Sequence, residues 1–256
     1  MNLGFHYHVP AINKNGKIFM PGYLGFFIDS LSPYFTNIYC FLHTPLENEK
    51  KEMDYQIKSK NLILVNYGVH SSIPKRLFWN FFNSNSILKK YEKNIDIFLV
   101  RASTPSLYFF ERIFKSKIAL LLVSDAVEGL DNLNQNKIRL LLIKIWANFY
   151  QKYEHKLVSK RKTIVNSDLL FNRLKAINKD IKLIRTTTLR DTDFHFREDT
   201  CKNNKIIFFY AGRVTKIKGL LDIIHALNIV FKNSSRDFVF NIAGMVNDGD
   251  NIPKKY

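Results

Sequence analysis

The sequence lacks the features that would place the protein outside the cell or across a membrane. It has only two cysteines in 256 residues, Cys40 in an apolar run and Cys201 in a polar stretch, which give no disulfide framework. No apolar run approaches the roughly 18–20 residues of a spanning helix, and the N-terminus lacks the basic-then-apolar plan of a signal peptide. Repeats and low-complexity tracts are also missing. These shortages predict a globular protein of the reducing cytoplasm.

Acidic residues are scarce as well, and this shortage indicates the kind of partner. The chain has 22 Asp and Glu against 39 Lys and Arg, which gives a net charge of +17. Such a charge predicts an anionic partner, whether nucleic acid, acidic lipid or a phosphorylated substrate. No cluster of arginines with interleaved aromatics marks a nucleic-acid fold, so nucleic acid ranks last and is not predicted. With 46% apolar and 14% aromatic residues, the chain has the composition of a folded domain.

Apolar runs predict seven strands in the first three quarters of the chain, the most continuous of them at 117–124, as in a central parallel strand. The runs cover residues 2–9, 37–42, 62–65, 96–101, 117–124, 163–167 and 183–185. Between them, periodic segments predict helices. These are 74–92 with a break near 83–85, a helix starting at Thr104-Pro105, 136–162, and 168–177. The apolar stripe of 136–162 is expected to lie mostly in the core.

Several polar residues fall at or near the ends of predicted strands. His6 and His8 alternate to one side of the first strand, so they either line a cleft, lie satisfied in the core, or bind metal. No carboxylate or cysteine cluster accompanies them, and metal is not predicted. Residues 66–70 are predicted to form a loop. Asp125 follows the central strand and is either a cap or loop hydrogen-bond acceptor, or a weak candidate for a catalytic base.

The stretch from 205 to 250 reads as strand, helix and strand. The runs 206–211 and 238–243 end in Gly212 and Gly244, and the segment after Lys218 has helical periodicity. In open α/β sheets, ligands bind beyond the carboxyl ends of strands, where Arg213 and Lys218 lie. These two cations either bind phosphate oxygens, helped by the start of the helix, or are solvated charges on a surface turn.

The motif G-R-V-T-K-I-K-G-L-L-D-I-I-H-A-L resembles the opening of the C-terminal domain of family-4 (group 1) glycosyltransferases of the GT-B type. The resemblance implies an α/β protein with one complete Rossmann-like domain at 1–190, a linker at 191–204 and an incomplete second Rossmann-like domain at 205–256. It also implies that Gly212, Arg213 and Lys218 bind the diphosphate of a nucleotide diphosphate sugar without a metal or other cofactor. In that case Arg213 and Lys218 lie near one anion position.

The same resemblance extends more loosely to the first domain. M-P-G-Y-L-G is similar to the family's cleft glycine loop, which implies that Gly22, Tyr23 and Gly25 face donor and acceptor from across the cleft. Arg101 stands where a histidine often follows the apolar run in the family. It therefore implies an anionic acceptor group, although a structural ion pair is an equal alternative. Asp125 lies where the family places a histidine-aspartate or similar pair.

By this resemblance, the chain transfers a sugar from a nucleotide sugar to a growing, lipid-linked glycan in surface polysaccharide or lipopolysaccharide synthesis. Family members usually retain anomeric configuration, and no side-chain base is assigned. The family's E-x7-E motif has no counterpart, so this chain alone is expected to transfer no sugar. The alternatives are a non-catalytic Rossmann-like scaffold subunit that docks on membranes, and another GT-B enzyme such as a nucleotide-sugar epimerase. D-x-D at 191–193 matches a metal motif of the other glycosyltransferase fold, but it lies in the linker and is discounted.

Two basic amphipathic segments, 74–93 and 137–162, predict peripheral association with the inner face of the cell membrane. The alternative is that both segments are solvated basic faces of a soluble protein.

Overall fold

The chain consists of two compact units, Met1–Leu189 and Arg190–Tyr256. The computed structural model describes residues 1–125, 127, 130, 135–185, 189, 191–196, 198, 205–212, 214, 218–233 and 237–244. The division falls next to residue 190, where the sequence predicts the first domain to end.

The first unit alternates strands with helices. Its strands are β1 (Asn2–Pro10), β2 (Ile12–Lys14), β3 (Lys17–Met20), β4 (Asn37–Thr44), β5 (Tyr55–Gln56), β6 (Leu62–Val69), β7 (Ile97–Ala102), β8 (Ile118–Leu122), β9 (Lys162–Val165) and β10 (Lys182–Leu183). Its α-helices are α1 (Gly22–Leu31), α2 (Ile73–Glu92), α3 (Leu107–Phe114), α4 (Lys137–Val158) and α5 (Asp168–Leu174).

Seven of these strands form one parallel sheet in the order β10-β9-β8-β7-β1-β4-β6. They are the seven strands that the apolar runs predict, so the prediction of an α/β protein with a Rossmann-like parallel sheet is confirmed. Strands β2, β3 and β5 form a small separate antiparallel sheet. Because every strand of the large sheet runs the same way, the carboxyl ends of its strands collect at one edge.

The large sheet carries a hydrophobic core on each face. All five residues of β8 are buried, as expected for a strand covered on both sides. On β4, Phe41 belongs to the core under α2, α3, α4 and α5, whereas its neighbour Cys40 belongs to the core under α1. The alternation of side chains along a strand therefore divides one apolar run between the two cores.

Three local predictions are wrong, and hydrogen bonds and strand pairing show why. Helix α2 is continuous, because the side chains of Asn83 and Ser84 donate to the backbone carbonyls of Trp79 and Asn80 within the helix. Residues 66–69 are not a loop, since β6 extends to Val69 alongside β4, and His70 follows the strand. Helix α3 begins at Leu107, after Ser106, so Thr104-Pro105 precedes it.

Helix α4 departs furthest from its predicted packing. Asn136 caps it by accepting a hydrogen bond from the Arg139 amide, and Tyr150 and Leu157 are buried as expected. The first half of its apolar stripe, however, is exposed, with Phe149 at 68%. The exposed stripe consists of Ile138, Leu141, Leu142, Ile145, Trp146 and Phe149. In the part of the chain that the structure describes, no helix is long and apolar enough to cross a membrane.

The second unit contains the predicted strand, helix and strand. Strand β11 (Lys205–Ala211) pairs in parallel with β12 (Asp237–Ala243), and helix α6 (Leu220–Asn233) lies between them in the sequence. The ends of the two strands are in close backbone contact. The Gly212 amide donates to the Ala243 carbonyl at 2.9 Å, and a Cβ on Gly244 would lie 1.7 Å from the Gly212 carbonyl oxygen. Glycine at 244 is therefore required by this close approach.

Candidate functional site

A pocket of about 400 Å³ opens at the carboxyl edge of the parallel sheet in the first unit. This edge is the usual ligand site of open α/β sheets. Strand β1 contributes His8 to the pocket. The first turn of α2 forms one side of the pocket, and the middle of α4 forms the other. The pocket is lined by His8, His70, Ile73, Arg76, Ser103, Thr104, Pro105, Ser124, Asp125, Trp146 and Tyr150.

Four histidines gather beside this pocket. The ring of His43 lies 6.0 Å from that of His6 and 5.8 Å from that of His70, and His8 lines the pocket itself. Burial, and then the nearby Arg76, lower the pKa of His8 to about 4 and that of His43 to about 3. These two imidazoles are therefore neutral at pH 7, and each can donate one hydrogen bond and accept one hydrogen bond.

His6 has a structural role at the base of the pocket. It is fully buried and stacks on Phe110 at 4.3 Å. Its Nδ1 donates to the Phe41 carbonyl at 2.7 Å, and its Nε2 accepts from the Thr104 hydroxyl at 3.0 Å. Burial holds the pKa of His6 well below its usual value, so the neutral ring joins β1, β4 and the turn before α3. Of the roles that the sequence leaves open, His6 fills the core role and His8 lines the cleft.

His70 is held by a carboxylate. Its Nδ1 lies 2.6 Å from Oε1 of Glu49, and both side chains are about one-fifth exposed. A carboxylate at Nδ1 holds a ring proton there, so an imidazole with a single proton presents Nε2 as the acceptor. This arrangement of a pocket-lining histidine with a carboxylate partner is suited to general base chemistry.

Arg76 is the cation of the pocket. It is half-buried, its guanidinium donates to the His8 carbonyl at 3.4 Å, and its Nε is buried without a hydrogen-bond partner among the described residues. Burial lowers its pKa, and the charge of Glu49 acts in the opposite direction. An arginine nevertheless stays charged in a protein, so this group presents a fixed positive charge.

A buried carboxyl group lies behind the opposite wall of the pocket. Oε2 of Glu154 accepts from the Ser103 hydroxyl at 2.9 Å. The hydroxyl of Tyr150 bonds to Glu154 and accepts from the Thr104 amide at 3.0 Å. Burial, with Asp125 nearby, raises the pKa of Glu154 to about 7. The Ser103 hydroxyl thus connects the pocket to a group that can hold or release a proton near neutral pH.

Asp125 lines the pocket, but its contacts are structural. It accepts from the Val127 amide and from Nε2 of Gln151, both at 2.8 Å, and it pairs with Arg173. With three partners it ties the end of β8 to α4 and α5. The alternative of a loop hydrogen-bond acceptor is therefore confirmed for Asp125.

Arg101 and Tyr23, two residues that the sequence singles out, come together next to the pocket. The Arg101 guanidinium lies 4.7 Å from the ring centre of Tyr7, 5.7 Å from that of Tyr23 and 5.6 Å from that of Phe27. It forms no ion pair with a described residue, so aromatic rings stand where the ion-pair alternative would place a carboxylate. The Tyr7 ring in turn lies 4.3 Å from that of His8, which makes this aromatic site continuous with the pocket.

The predicted glycine loop is the first turn of α1. The Gly22 amide donates to Asp54 at 2.8 Å, and the Gly25 amide donates to the Pro21 carbonyl at 3.0 Å. Both amides are therefore engaged within the first unit, and neither is free to donate to a ligand. A Cβ on Gly25 would lie 2.3 Å from Cδ1 of Tyr55. The second glycine therefore serves close packing of the helix.

In the second unit, the described residues cover part of the predicted phosphate-binding turn. Gly212 directly follows β11, and Lys218 is exposed one residue before the glycine that precedes α6. Arg213 lies outside the described residues, and its approach to Lys218 and the prediction that both face Gly22–Gly25 stay predictions. Asp191–Asp193 forms a short 3-10 turn. No three histidine, cysteine or acidic side chains within the described ranges are arranged to hold a metal ion.

Sequence reasoning identified His8, Asp125, Arg101 and Tyr23 but missed Arg76, Glu49, Ser103 and Glu154. One signal for Glu154 is present in the sequence. It falls four residues after Tyr150 and three before Leu157, so it occupies a position of the apolar stripe of α4. A carboxylate at such a position is buried with the stripe and needs partners. Glu49 and Arg76 carry no comparable signal.

No protein-family model matches the sequence, and the search for similar curated proteins returned no match.

Proposed function

We propose that this chain belongs to a glycosyltransferase of GT-B shape, which moves a sugar from a nucleotide diphosphate sugar to a lipid-linked, anionic glycan in surface polysaccharide or lipopolysaccharide synthesis. The observation that carries the proposal is the parallel β11–α6–β12 arrangement, with Gly212 at the strand end and Lys218 next to the helix start. That is the structural context the G-R-x4-K-G motif requires to bind a diphosphate.

The chemistry needs positive charge at the leaving diphosphate. The Lys218 ammonium, the Arg213 guanidinium and the amides at the start of α6 can supply it without a metal ion. The first unit would hold the acceptor in the pocket at the carboxyl edge of its sheet. The attacking hydroxyl must lose a proton, and His70 is suited to receive it because Glu49 fixes the other ring proton.

Nucleotide-sugar binding by Lys218 tests this proposal. Isothermal titration with UDP-glucose and GDP-mannose should give weak binding that Lys218→Ala reduces at least tenfold. Lys232→Ala removes the same charge from the last turn of α6, the helix that follows Lys218, and should leave binding unchanged. If neither nucleotide sugar binds, or if both variants bind like the wild type, the proposal fails.

We also propose that the first unit contacts an anionic membrane through α2 and α4. On α2, Phe78, Phe81 and Phe82 are exposed and share the helix with Lys75, Lys89 and Lys90. On α4 the exposed stripe described above accompanies Lys137, Arg139 and Lys144. Exposed apolar side chains flanked by basic ones favour the surface of an anionic bilayer, where each basic residue contributes about 1 kcal/mol.

Flotation with liposomes that contain phosphatidylserine tests the membrane contact. The protein should float at low salt and be released at high salt, and Phe81→Ser with Phe82→Ser should weaken flotation. Tyr34→Ser changes an equally exposed aromatic residue outside both helices and serves as the matched control. Salt-independent behaviour, or equal loss in the control, would contradict the proposal. Membrane binding without any nucleotide binding would favour the scaffold alternative.

A further inference from the structure

Two cavities of the first unit meet at Arg76. The smaller one is the polar pocket at the sheet edge, and the larger one, of about 700 Å³, lies between the end of β6 and the first half of α2. Arg76 lines both of them. The two cavities are therefore adjacent at this residue.

Arg76 has no ion-pair partner within the described part of the chain. The charge of Glu49 acts on it, but Glu49 itself pairs with His70. The neighbouring His8 and His43 are held neutral, in part by Arg76 itself. A half-buried cation without a paired anion is costly, and an anion placed beside it would remove much of that cost.

The larger cavity has a different character. Its walls include Val69, Pro74, Phe78 and Trp79, and Val69 and Phe78 are exposed to solvent at 54% and 70%. Phe81 and Phe82 extend the exposed apolar surface along α2. A small hydrophilic anion would fill only the Arg76 end, whereas an aliphatic chain would cover these side chains.

We propose that the first unit binds a lipid phosphate, with the phosphate at Arg76 and the first part of the aliphatic chain in the larger cavity. The role of this ligand as the anchor of the acceptor rests on the proposed glycosyltransferase function, whereas the binding itself does not. The smaller pocket then receives the group attached to the phosphate, beside His8 and His70. The cavity volume lies within the usual range of ligand sites.

The two tryptophans of the chain report on the two cavities separately. Trp79 lines the larger cavity and Trp146 lines the smaller one, and no other tryptophan is present. The probe is dodecyl phosphate below its micelle concentration, added to the full chain with Trp146→Phe, so that Trp79 alone emits. We expect saturable binding with a blue shift of the Trp79 emission.

Arg76→Gln should weaken dodecyl phosphate binding at least tenfold, and Arg76→Lys, which keeps the charge but not the fork of donors, should weaken it less. Lys17→Gln removes the same charge from an exposed position of β3 and should change nothing. Urea unfolding of each variant checks that the fold is retained. If Arg76→Gln does not fold, Phe78→Ser, at an exposed wall position, should still weaken binding of dodecyl phosphate.

Two further ligands test whether both the phosphate and the aliphatic chain of dodecyl phosphate are needed for binding. Inorganic phosphate should bind at least tenfold more weakly than dodecyl phosphate and leave Trp79 emission unshifted, and dodecanol should bind more weakly than dodecyl phosphate. Equal affinity for inorganic and dodecyl phosphate would overturn the proposal, as would equal affinity for dodecanol and dodecyl phosphate. So would wild-type binding by Arg76→Gln.

The outcome is independent of the donor site. Binding of dodecyl phosphate that depends on Arg76, in a chain that binds no nucleotide sugar, supports this inference and refutes the glycosyltransferase proposal. Nucleotide-sugar binding that depends on Lys218, in a chain that ignores dodecyl phosphate, does the reverse.

Discussion

Strands β8 and β11 have similar composition and opposite environments. Every residue of β8 is buried, whereas β11, which is just as apolar in Ile206–Ala211, has no buried residue. The first unit covers its sheet with helices on both faces and has two cores. In the described part of the second unit, Val214 and Leu220 are the buried hydrophobic residues. The burial of a strand thus depends on the elements that pack against it. The strand's own sequence shows only that it is apolar enough to be buried.

The difference in burial implies a difference in stability. A fully buried large apolar side chain contributes about 1.5–3 kcal/mol, so the cores of the first unit provide the cohesion of a domain. The exposed side chains of β11, α6 and β12, among them Phe209, Ile229 and Phe231, contribute little while they face solvent. We therefore expect the two units to respond differently to the same change.

The largest expected contrast is in hydrogen exchange. Amides of Ile118–Leu122 should exchange through global unfolding, with an opening free energy of about 5–15 kcal/mol. Amides of Lys205–Ala211 should open far more easily, because few buried contacts hold that sheet. Native-state exchange followed by mass spectrometry measures both. Equal protection of the two strands would contradict the expected difference in stability between the two units.

Truncation of one aromatic ring in each unit is the next test. Phe98 is fully buried and its ring packs 4.2 Å from that of Phe114 and 4.9 Å from that of Phe110, so Phe98→Ala should cost about 3–5 kcal/mol of unfolding free energy. Phe209 is 68% exposed, and Phe209→Ala should change it by less than about 0.5 kcal/mol. Urea unfolding compares the two. A large loss in Phe209→Ala would mean that β11 is covered in solution.

The buried carboxyl of Glu154 should make the first unit lose stability as pH rises. Its pKa is about 7 in the folded state against 4.5 in the free side chain. Below pH 4.5 both states hold the proton and nothing is lost. Between 4.5 and 7 the unfolded chain releases the proton that the folded state retains, so the folded state becomes less stable by up to about 3 kcal/mol, a loss that persists above pH 7.

Glu154→Gln cannot ionise and should lack this loss, so its advantage over the wild type should grow from pH 5 to pH 8 in urea unfolding. Asp222→Asn, at an exposed position of the second unit, should follow the wild-type curve. If Glu154→Gln and the wild type run parallel across this range, Glu154 ionises normally in the folded protein.

Glycine replacements give the smallest expected difference between the two units. Gly25→Ala gains helix propensity but places a Cβ against the Tyr55 ring, which cannot move freely because its hydroxyl donates to Asp29 at 2.9 Å. A net loss of about 1–2 kcal/mol of unfolding free energy is expected. Gly244→Ala creates a backbone clash in the second unit, yet should leave the main unfolding transition in place and speed exchange only in β11. A shared loss would show that the units unfold together.

The sequence predicted the large sheet well because parallel strands are buried on both faces. Such strands appear as continuous apolar runs, of which Ile118–Leu122 is the clearest, and turn residues separate them. Helix continuity was predicted less well at Asn83 and Ser84, since both residue types favour turns unless their side chains bond to helix carbonyls, as they do in α2. Periodicity also identified the apolar face of α4 but not whether anything covers it.

The candidate site was predicted only in part because its main contacts join distant residues. Ser103 and Glu154 are 51 positions apart, and Glu49 and His70 are 21 apart. Position at a strand end was enough to single out His8 and Asp125. It could not show that Asp125 is bonded to Val127, Gln151 and Arg173. Nor could it show that Arg76 of α2 lies at the carboxyl edge of the sheet.

The hydrogen bonds of His6 run in one direction, and this direction limits what can bind at Thr104. The Phe41 carbonyl can only accept, so the single proton of the neutral His6 ring is on Nδ1 and Nε2 must accept. The Thr104 hydroxyl therefore donates its only proton to His6. Toward the pocket the Thr104 hydroxyl oxygen can only accept hydrogen bonds. A ligand O–H or N–H can therefore bind to it, whereas a carboxylate or phosphate oxygen is repelled. A buried ring that never touches the ligand thus sets the polarity that the ligand must match.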